Sequence, residues 1–230
     1  MSRSYFFTPK KGKHYEQGIN GKKILILGAS FYCDKVNCQY YDKCTNEQLK
    51  DSSEFDSCCP EYTRENNPKK LLRHAPSYEI EAFIEDQSSI TYAAFTLFLE
   101  GFLAKQNLLH IGDSESIWDY VCFTNYVQFF LPHKETYNRD IDKEKFNESL
   151  LGVISDYDPD IVICWGNVIN TPLRDKCADK EDLYQSDYYR FRWKVHGKTV
   201  SFVNCDHPSS HEFILSYKKF ERYLNEAIRE

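Results

Sequence analysis

Five cysteines lie close together in one segment of the sequence, and thiols at this density are candidate metal ligands. They are Cys33, Cys38, Cys44, Cys58 and Cys59. Four thiolates suit Zn²⁺ or an iron–sulfur cluster, so the segment predicts a metal site built from Cys33, Cys38, Cys44 and Cys58. The spacing lacks the Cys-x-x-Cys pair that is typical of zinc sites. Reduced structural thiols are therefore the alternative.

A second group of polar residues lies where buried strands are predicted to end. The strand ends are Gly28–Tyr32, Thr124–Tyr126, Gly166–Asn167 and Asp206–Ser210. Ligands of parallel α/β sheets bind outside the carboxyl ends of the strands, so we expect these segments to meet at one crevice. Ser209 and Ser210 begin a predicted helix, whose first amides suit a phosphate. Helix capping is the alternative role for both serines.

Apolar runs predict the strands that would hold these ends. The runs are Ile24–Leu27, Val121–Val127 and Asp160–Gly166. Such runs are typical of strands that are buried on both faces of a parallel sheet. A helix is predicted to begin near Ser88 or Ser89, which are good N-cap residues. A second helix is predicted over residues 142–157, from the spacing of its apolar residues.

A hairpin is predicted near the end of the chain. Tyr188–Val195 alternates between apolar and other residues, Gly197 supplies a turn, and Val200–Asn204 pairs back. The basic side chains on its first strand are Arg190, Arg192 and Lys194. We expect them to face solvent, with contact to phosphates as the alternative.

The order of these elements is typical of a parallel sheet with helices on its faces. We therefore expect one domain over residues 1–230, a three-layer α/β/α fold with a central, mainly parallel four-stranded sheet. Residues 33–78 contain no long apolar run and predict an irregular, Cys-rich insertion. Residues 1–21 predict an arm that covers the fold.

Taken in order, these segments resemble the uracil-DNA glycosylase superfamily over about residues 22–228. The family's first motif, Gly-Gln-Asp-Pro-Tyr-His, aligns with Gly28-Ala29-Ser30-Phe31-Tyr32-Cys33. Its second motif, His-Pro-Ser-Pro, aligns with His207-Pro208-Ser209-Ser210. The family's base-reading Asn lies at a strand end, as Asn125 does. Ser30 departs from the family, which has Asp, Glu or Asn at that position.

The resemblance implies hydrolysis of the N-glycosidic bond of a damaged or deaminated, uracil-type base in DNA. It implies these roles: His207 as donor to the leaving base, Asn125 as base reader, Tyr32 as a screen against thymine, Phe31 or a Phe of the long loop as a stacking platform, and Ser209 and Ser210 as phosphate contacts. Ser30 can only position a water, because a neutral hydroxyl does not stabilise a cationic sugar. The alternative is therefore a non-catalytic module that binds a nucleobase or nucleic acid and has lost the carboxylate.

Composition and net charge further restrict the classes of partner and the location that we expect. The net charge of −6 gives no global attraction to nucleic acid or anionic membranes. No apolar run reaches the roughly 18 residues of a membrane span, so no membrane partner is expected. The first residues lack the apolar core of a signal peptide, which predicts a cytoplasmic protein with reduced cysteines. We expect a monomer whose partner is DNA, single-stranded or damaged.

Overall fold

The computed structural model describes residues 4–45, 71–132, 145–178 and 189–230. Its strands are β1 (Lys10–Lys11), β2 (Ile24–Gly28), β3 (Phe31–Tyr32), β4 (Cys122–Asn125), β5 (Phe130–Leu131), β6 (Ile161–Trp165), β7 (Arg190–Val195) and β8 (Lys198–Cys205). Six of these strands form one sheet in the order β1-β4-β2-β6-β8-β7, while β3 and β5 form a separate pair. The described part of the chain is therefore a mixed α/β protein.

The main sheet is parallel in its middle and antiparallel at both edges. β4, β2, β6 and β8 pair in parallel, and β1 and β7 pair antiparallel with β4 and β8. All residues of β2 and β6 are buried, as their unbroken apolar sequences predicted. The expected four-stranded sheet is wrong, because the sheet has six strands in the described residues. β1 has only two residues, too few for an alternating pattern.

Six α-helices accompany the strands in the described residues. They are α1 (Tyr41–Cys44), α2 (Ala75–Asp86), α3 (Ile90–Lys105), α4 (Lys145–Tyr157), α5 (Asn167–Ala178) and α6 (His211–Arg229). α3 begins where the sequence predicted, because the side chain of Ser89 accepts a hydrogen bond from the Tyr92 amide. None of the helices in these four ranges combines the length and the apolar character that a membrane crossing needs.

The irregular segment predicted over residues 33–78 is partly helical. α1 lies inside it and α2 begins before its end, while residues 46–70 are outside the described residues. α2 starts with Pro76 in its first turn and stops at Gln87, which has a left-handed φ of 54°. Both are ordinary boundary signals, but the interior of α2 has a weak apolar pattern. The sequence therefore gave little indication of this helix.

Aromatic contacts fix α3 against the sheet and against α6. Phe95 packs against Trp165 at the end of β6, with ring centroids 5.0 Å apart. Phe98 lies against Phe213 and Phe220 of α6, at 5.3 and 5.5 Å. These contacts place the first turn of α3 at the carboxyl end of the parallel strands.

The amino-terminal segment (residues 4–9) packs into the core of the fold and does not simply cover its surface. Tyr5, Phe6 and Phe7 are all buried, and Phe7 is fully so. The Phe7 ring contacts Phe31 of β3 and Phe130 of β5, with centroid distances of 4.9 and 5.3 Å. The small β3–β5 pair is thus supported from one side by the amino-terminal segment.

Candidate functional site

A cavity of about 280 Å³ lies at the carboxyl ends of the four parallel strands. It is lined by Gly28, Ala29, Ser30, Tyr32, Ser89, Thr91, Tyr92, Asn125, Trp165, His207 and Ser209. These residues come from segments far apart in the sequence. Of the predicted site residues, Ser30, Tyr32, Asn125, His207 and Ser209 are brought together here.

Gly28 and Asn125 are paired across β2 and β4, and the pairing explains the glycine. They are register partners at the ends of the two strands. A Cβ atom on residue 28 would overlap with Oδ1 of Asn125. The Asn125 side chain therefore lies directly over the Gly28 backbone, a close approach that only glycine allows.

The side chain of Asn125 is buried but not used by the protein. The residue is only 4% exposed, and its side-chain amide forms no hydrogen bond with the described residues. Because this amide borders the cavity, it is available to a ligand as one donor and one acceptor side by side.

The hydrogen bonds of His207 define the tautomer of its ring. Nδ1 lies 2.8 Å from Oγ of Ser209 and accepts the Ser209 backbone N–H at 3.3 Å. A backbone N–H can only donate, so Nδ1 carries no proton and the neutral ring carries it at Nε2. Burial lowers the pKa of His207 below its ordinary value. The cavity thus holds a neutral imidazole with one N–H donor.

Two further polar atoms near the cavity have no partner in the described residues. They are Oγ of Ser30 and Nε1 of Trp165, and both are buried. Ser30 and Tyr32 line the cavity, whereas Phe31 between them does not. This alternation is the two-residue period of a strand, and it could have been read from the sequence to separate Phe31 from its neighbours.

The structure gives Phe31 and Ser210 roles in the fold. Phe31 is 7% exposed and packs against Phe7 and Phe130, with centroids 4.9 and 5.7 Å away. The hydroxyl of Ser210 accepts a hydrogen bond from the Phe213 amide at 3.3 Å, so it caps α6. Within the described residues, neither lines the cavity.

Sequence reasoning missed four lining residues. They are Ser89, Thr91, Tyr92 and Trp165. Trp165 had a usable signal, because it directly precedes the strand-end glycine Gly166. The other three belong to the cap and first turn of α3, and no pattern in the sequence indicated that this turn would reach the crevice.

The carboxylate nearest to His207 in the sequence, Asp206, is bound elsewhere. Its oxygens accept hydrogen bonds from Nδ2 of Asn167 at 3.4 Å and from Oγ of Ser216 at 2.5 Å. Asn167 in turn accepts from Nδ2 of Asn204 at 2.7 Å. Among the described residues that line the cavity there is no Asp, Glu, Lys or Arg. The cavity is therefore polar but uncharged at neutral pH.

Two of the three basic residues of β7 form ion pairs at the end of α6, while Lys194 is exposed. Arg190 is 7% exposed, and its guanidinium lies 3.4 Å from Glu226 and 2.5 Å from Glu230. Arg192 also pairs with Glu230. These two arginines fasten α6 to the sheet edge, and this role was not among those expected from their alternation.

The cysteine prediction is only partly within the described residues. Cys33 and Cys38 are partly buried and Cys44 is buried, while Cys58 and Cys59 lie outside the described residues. In the portion that the structure describes, no group of three or more His, Cys, Asp or Glu side chains could hold a metal ion. Cys122, Cys164 and Cys205 are buried, as expected of small apolar residues on strands.

Comparison of the sequence with protein-family models and with curated proteins finds no match.

Proposed function

We propose that the protein is a DNA glycosylase of the uracil-DNA glycosylase-like type, which binds one unstacked, uracil-type base in the cavity and hydrolyses its N-glycosidic bond. One observation carries the proposal. The unpaired amide of Asn125 and the N–H of a neutral His207 border the same 280 Å³ cavity, together with Ser30 and Tyr32. A small planar ring with adjacent donor and acceptor atoms fits these groups.

The chemistry follows from where charge develops. Cleavage breaks the bond between the sugar C1′ and the base nitrogen, and the bonding electrons leave with the base. A water oxygen bonds to C1′, and the proton released from that water balances the charge of the base. The Nε2–H of His207 would stabilise the negative oxygen of the departing base, a contribution of about 3 kcal/mol for one preorganised donor.

Ser30 would hold the attacking water without activating it strongly. Its Oγ is buried and has no partner in the described residues, so it can accept or donate one hydrogen bond to a bound water. A hydroxyl supplies no charge to the cationic sugar. We therefore expect slow turnover, with most of the barrier lowered at the leaving base.

Contacts with DNA would come from uncharged groups and helix termini. Ser209 lies just before α6 and Ser89 caps α3, and both line the cavity. Positive helix N-termini suit a phosphate, which fits a protein with a net charge of −6. The proposal includes the three-layer α/β/α arrangement and a monomer that acts in the cytoplasm.

The decisive experiment incubates the protein with oligonucleotides that contain uracil, hypoxanthine or xanthine and scores abasic sites. We expect cleavage of at least one of these and none of the undamaged strand. The Ser30→Asp variant should be faster, because a carboxylate can stabilise the sugar cation. Absence of abasic sites from both proteins, after hours at micromolar enzyme, would contradict the catalytic proposal.

A second candidate is a nucleobase-binding module without catalysis. The observation that favours it is the lack of any carboxylate among the described lining residues, with Asp206 bonded to Asn167 and Ser216 instead. This candidate predicts retention of a damaged oligonucleotide with no base release. In that case Ser30→Asp should create activity where the unchanged protein has none.

A further inference from the structure

Gln128 lies behind the cavity, and both polar atoms of its side-chain amide form hydrogen bonds within the protein. It is 3% exposed. Nε2 donates to the backbone carbonyl of Asn125 at 2.6 Å. Oε1 accepts the backbone N–H groups of Phe6 at 3.0 Å and Phe7 at 2.9 Å. One side chain therefore joins the amino-terminal segment to the residue that borders the cavity.

The hydrogen bond from Gln128 satisfies the backbone carbonyl of Asn125 at the point where β4 ends. Asn125 is the last residue of β4. Beyond it, the amides of Tyr126 and Val127 donate to Gly28 and Ala29, at 2.8 and 3.0 Å. These bonds hold the following residues, while Gln128 supplies a donor to the Asn125 carbonyl. The backbone of Asn125 is thus fixed on the side opposite to Gly28.

The two residues that Gln128 holds also support the other wall of the cavity. Phe7 packs against Phe31 at 4.9 Å, and Phe31 lies between the lining residues Ser30 and Tyr32. The segment around Phe6 and Phe7 therefore lies behind both walls, bonded to one through Gln128 and packed against the other through its ring.

We infer that Gln128 is a positioning residue that sets the orientation of the Asn125 amide and makes it depend on docking of the amino-terminal segment. The inference rests on the proposed function, in which Asn125 reads the base. Small displacements of a reading group cost much, and about 1 Å can lower a rate a hundredfold. Gln128 itself lies outside the lining of the cavity and touches no ligand there.

Replacement of Gln128 by Glu tests the hydrogen bond to Asn125 separately from the hydrogen bonds to Phe6 and Phe7. An ionised Glu keeps an oxygen that accepts from Phe6 and Phe7, but it places a second acceptor against the Asn125 carbonyl. A protonated Glu regains a donor, its O–H, and so restores the original pattern. Burial raises the pKa of such a carboxyl, so mild acid is enough to protonate it.

The test measures kcat/KM for an oligonucleotide that contains uracil and for the same oligonucleotide with cytosine in its place. Both values are measured at pH 8 and at pH 5, for the unchanged protein and for Gln128→Glu. At pH 8 we expect the variant to lose about tenfold to a hundredfold in kcat/KM, with a lower uracil-to-cytosine ratio. At pH 5 its kcat/KM relative to the unchanged protein should recover. A role limited to stability would not produce a recovery that follows one carboxyl group.

Tyr5→Phe is the matched control. It removes another bond of the amino-terminal segment, from Oη of Tyr5 to Asp156 at 2.7 Å, without touching Asn125. We expect its kcat/KM to match the unchanged protein at both pH values. If a folded Gln128→Glu keeps full activity at a pH where its carboxyl is shown to be ionised, or loses activity at both pH values in parallel with Tyr5→Phe, the inference is overturned.

A structural measurement keeps the inference testable if the unchanged protein releases no base. Crystal structures of the unchanged protein and Gln128→Glu at pH 8 should then show the Asn125 amide in different positions. An Asn125 side chain that superimposes in the two structures overturns the positioning role. A displaced amide supports that role even where the glycosylase proposal has failed.

Discussion

The amino and carboxyl ends of the parallel strands differ in whether their polar groups have partners. At the amino end, Lys23 and Lys198 both lie 2.8 Å from Asp158. Lys198 is also 3.0 Å from Asp160, which accepts the Lys23 backbone N–H at 2.8 Å. These four residues form a closed network in which each charge has a partner of opposite sign.

At the carboxyl end, polar groups are buried without partners in the described residues. Oγ of Ser30 and Nε1 of Trp165 are the examples. Unpaired buried polar atoms lower stability, so they indicate a place where a ligand completes the hydrogen bonds. The contrast is that charges at the amino end are paired within the protein, whereas the carboxyl end holds the cavity in which we propose that a ligand binds.

The largest effect is expected from His207→Ala. Loss of the Nε2–H donor should lower base release by about 100- to 1,000-fold, while the melting temperature changes little. Single-turnover cleavage of a uracil oligonucleotide measures the loss. His211→Ala is the control, because His211 is exposed at the start of α6. Equal rates for the two variants would remove His207 from the chemistry.

The next largest effect is expected from Gly28→Ala. The new Cβ would displace the Asn125 amide, so affinity for a uracil oligonucleotide should fall about tenfold or more. Gly101→Ala is the matched control, because a Cβ there meets open space and raises the helix propensity of α3 by up to about 1 kcal/mol. Binding that survives Gly28→Ala would show that Asn125 does not read the ligand.

Ser30→Ala should separate stability from function. Removing a buried hydroxyl without a partner should raise the free energy of unfolding by about 1 kcal/mol, while base release slows by about tenfold. Urea unfolding and cleavage rates on the same samples measure both. A loss of stability would mean that Oγ of Ser30 has a partner in the folded protein, and the contrast between the two ends would fail.

The smallest effect is expected from Asp158→Asn at the amino end. Asn tolerates the left-handed φ of 48° found there, so the change mainly removes charge. Because the ion pairs are exposed, the free energy of unfolding should fall by less than about 1 kcal/mol. Base release should not change. An activity loss greater than the stability loss would contradict the division between the two ends.

The same carboxyl predicts a pH dependence. Hydrogen bonds from Lys198 and Lys23 hold the pKa of Asp158 below its ordinary value. Its stabilising contribution is therefore complete above the pKa of an unfolded Asp and is lost as the pH falls through the lower, folded value. Unfolding measured from pH 6 to pH 2 should show a flatter acid limb in Asp158→Asn.

The sequence predicted the inner strands and the place of the candidate cavity because both depend on short patterns. The apolar runs of β2 and β6 specify buried parallel strands, and the rule that ligands bind beyond strand ends then brings Asn125 and His207 together. Edge strand β1 escaped prediction because two residues carry no period. Edge strand β7 was predicted as part of the hairpin but was not counted in the four-stranded sheet, so the sheet was expected to be narrower than it is.

The missed parts of the site depend on contacts between distant segments. Gln128 gains its role only when Phe6 and Phe7 are placed beside it, and no local pattern records that neighbour. Tyr92 lines the cavity because α3 packs against Trp165, which is also a tertiary contact. Phe31 is the exception, since the alternation with Ser30 and Tyr32 was readable.

The two antiparallel edge strands of the sheet affect how the protein behaves at high concentration. In the described residues, one edge strand is β1, which is only two residues long. The other is β7, where Arg190 pairs with Glu226 of α6 and both Arg190 and Arg192 pair with Glu230, the residue after α6. Short or charged edge strands are poor templates for strands of other molecules. The apolar strands in the middle of the sheet are therefore shielded from intermolecular pairing and aggregation.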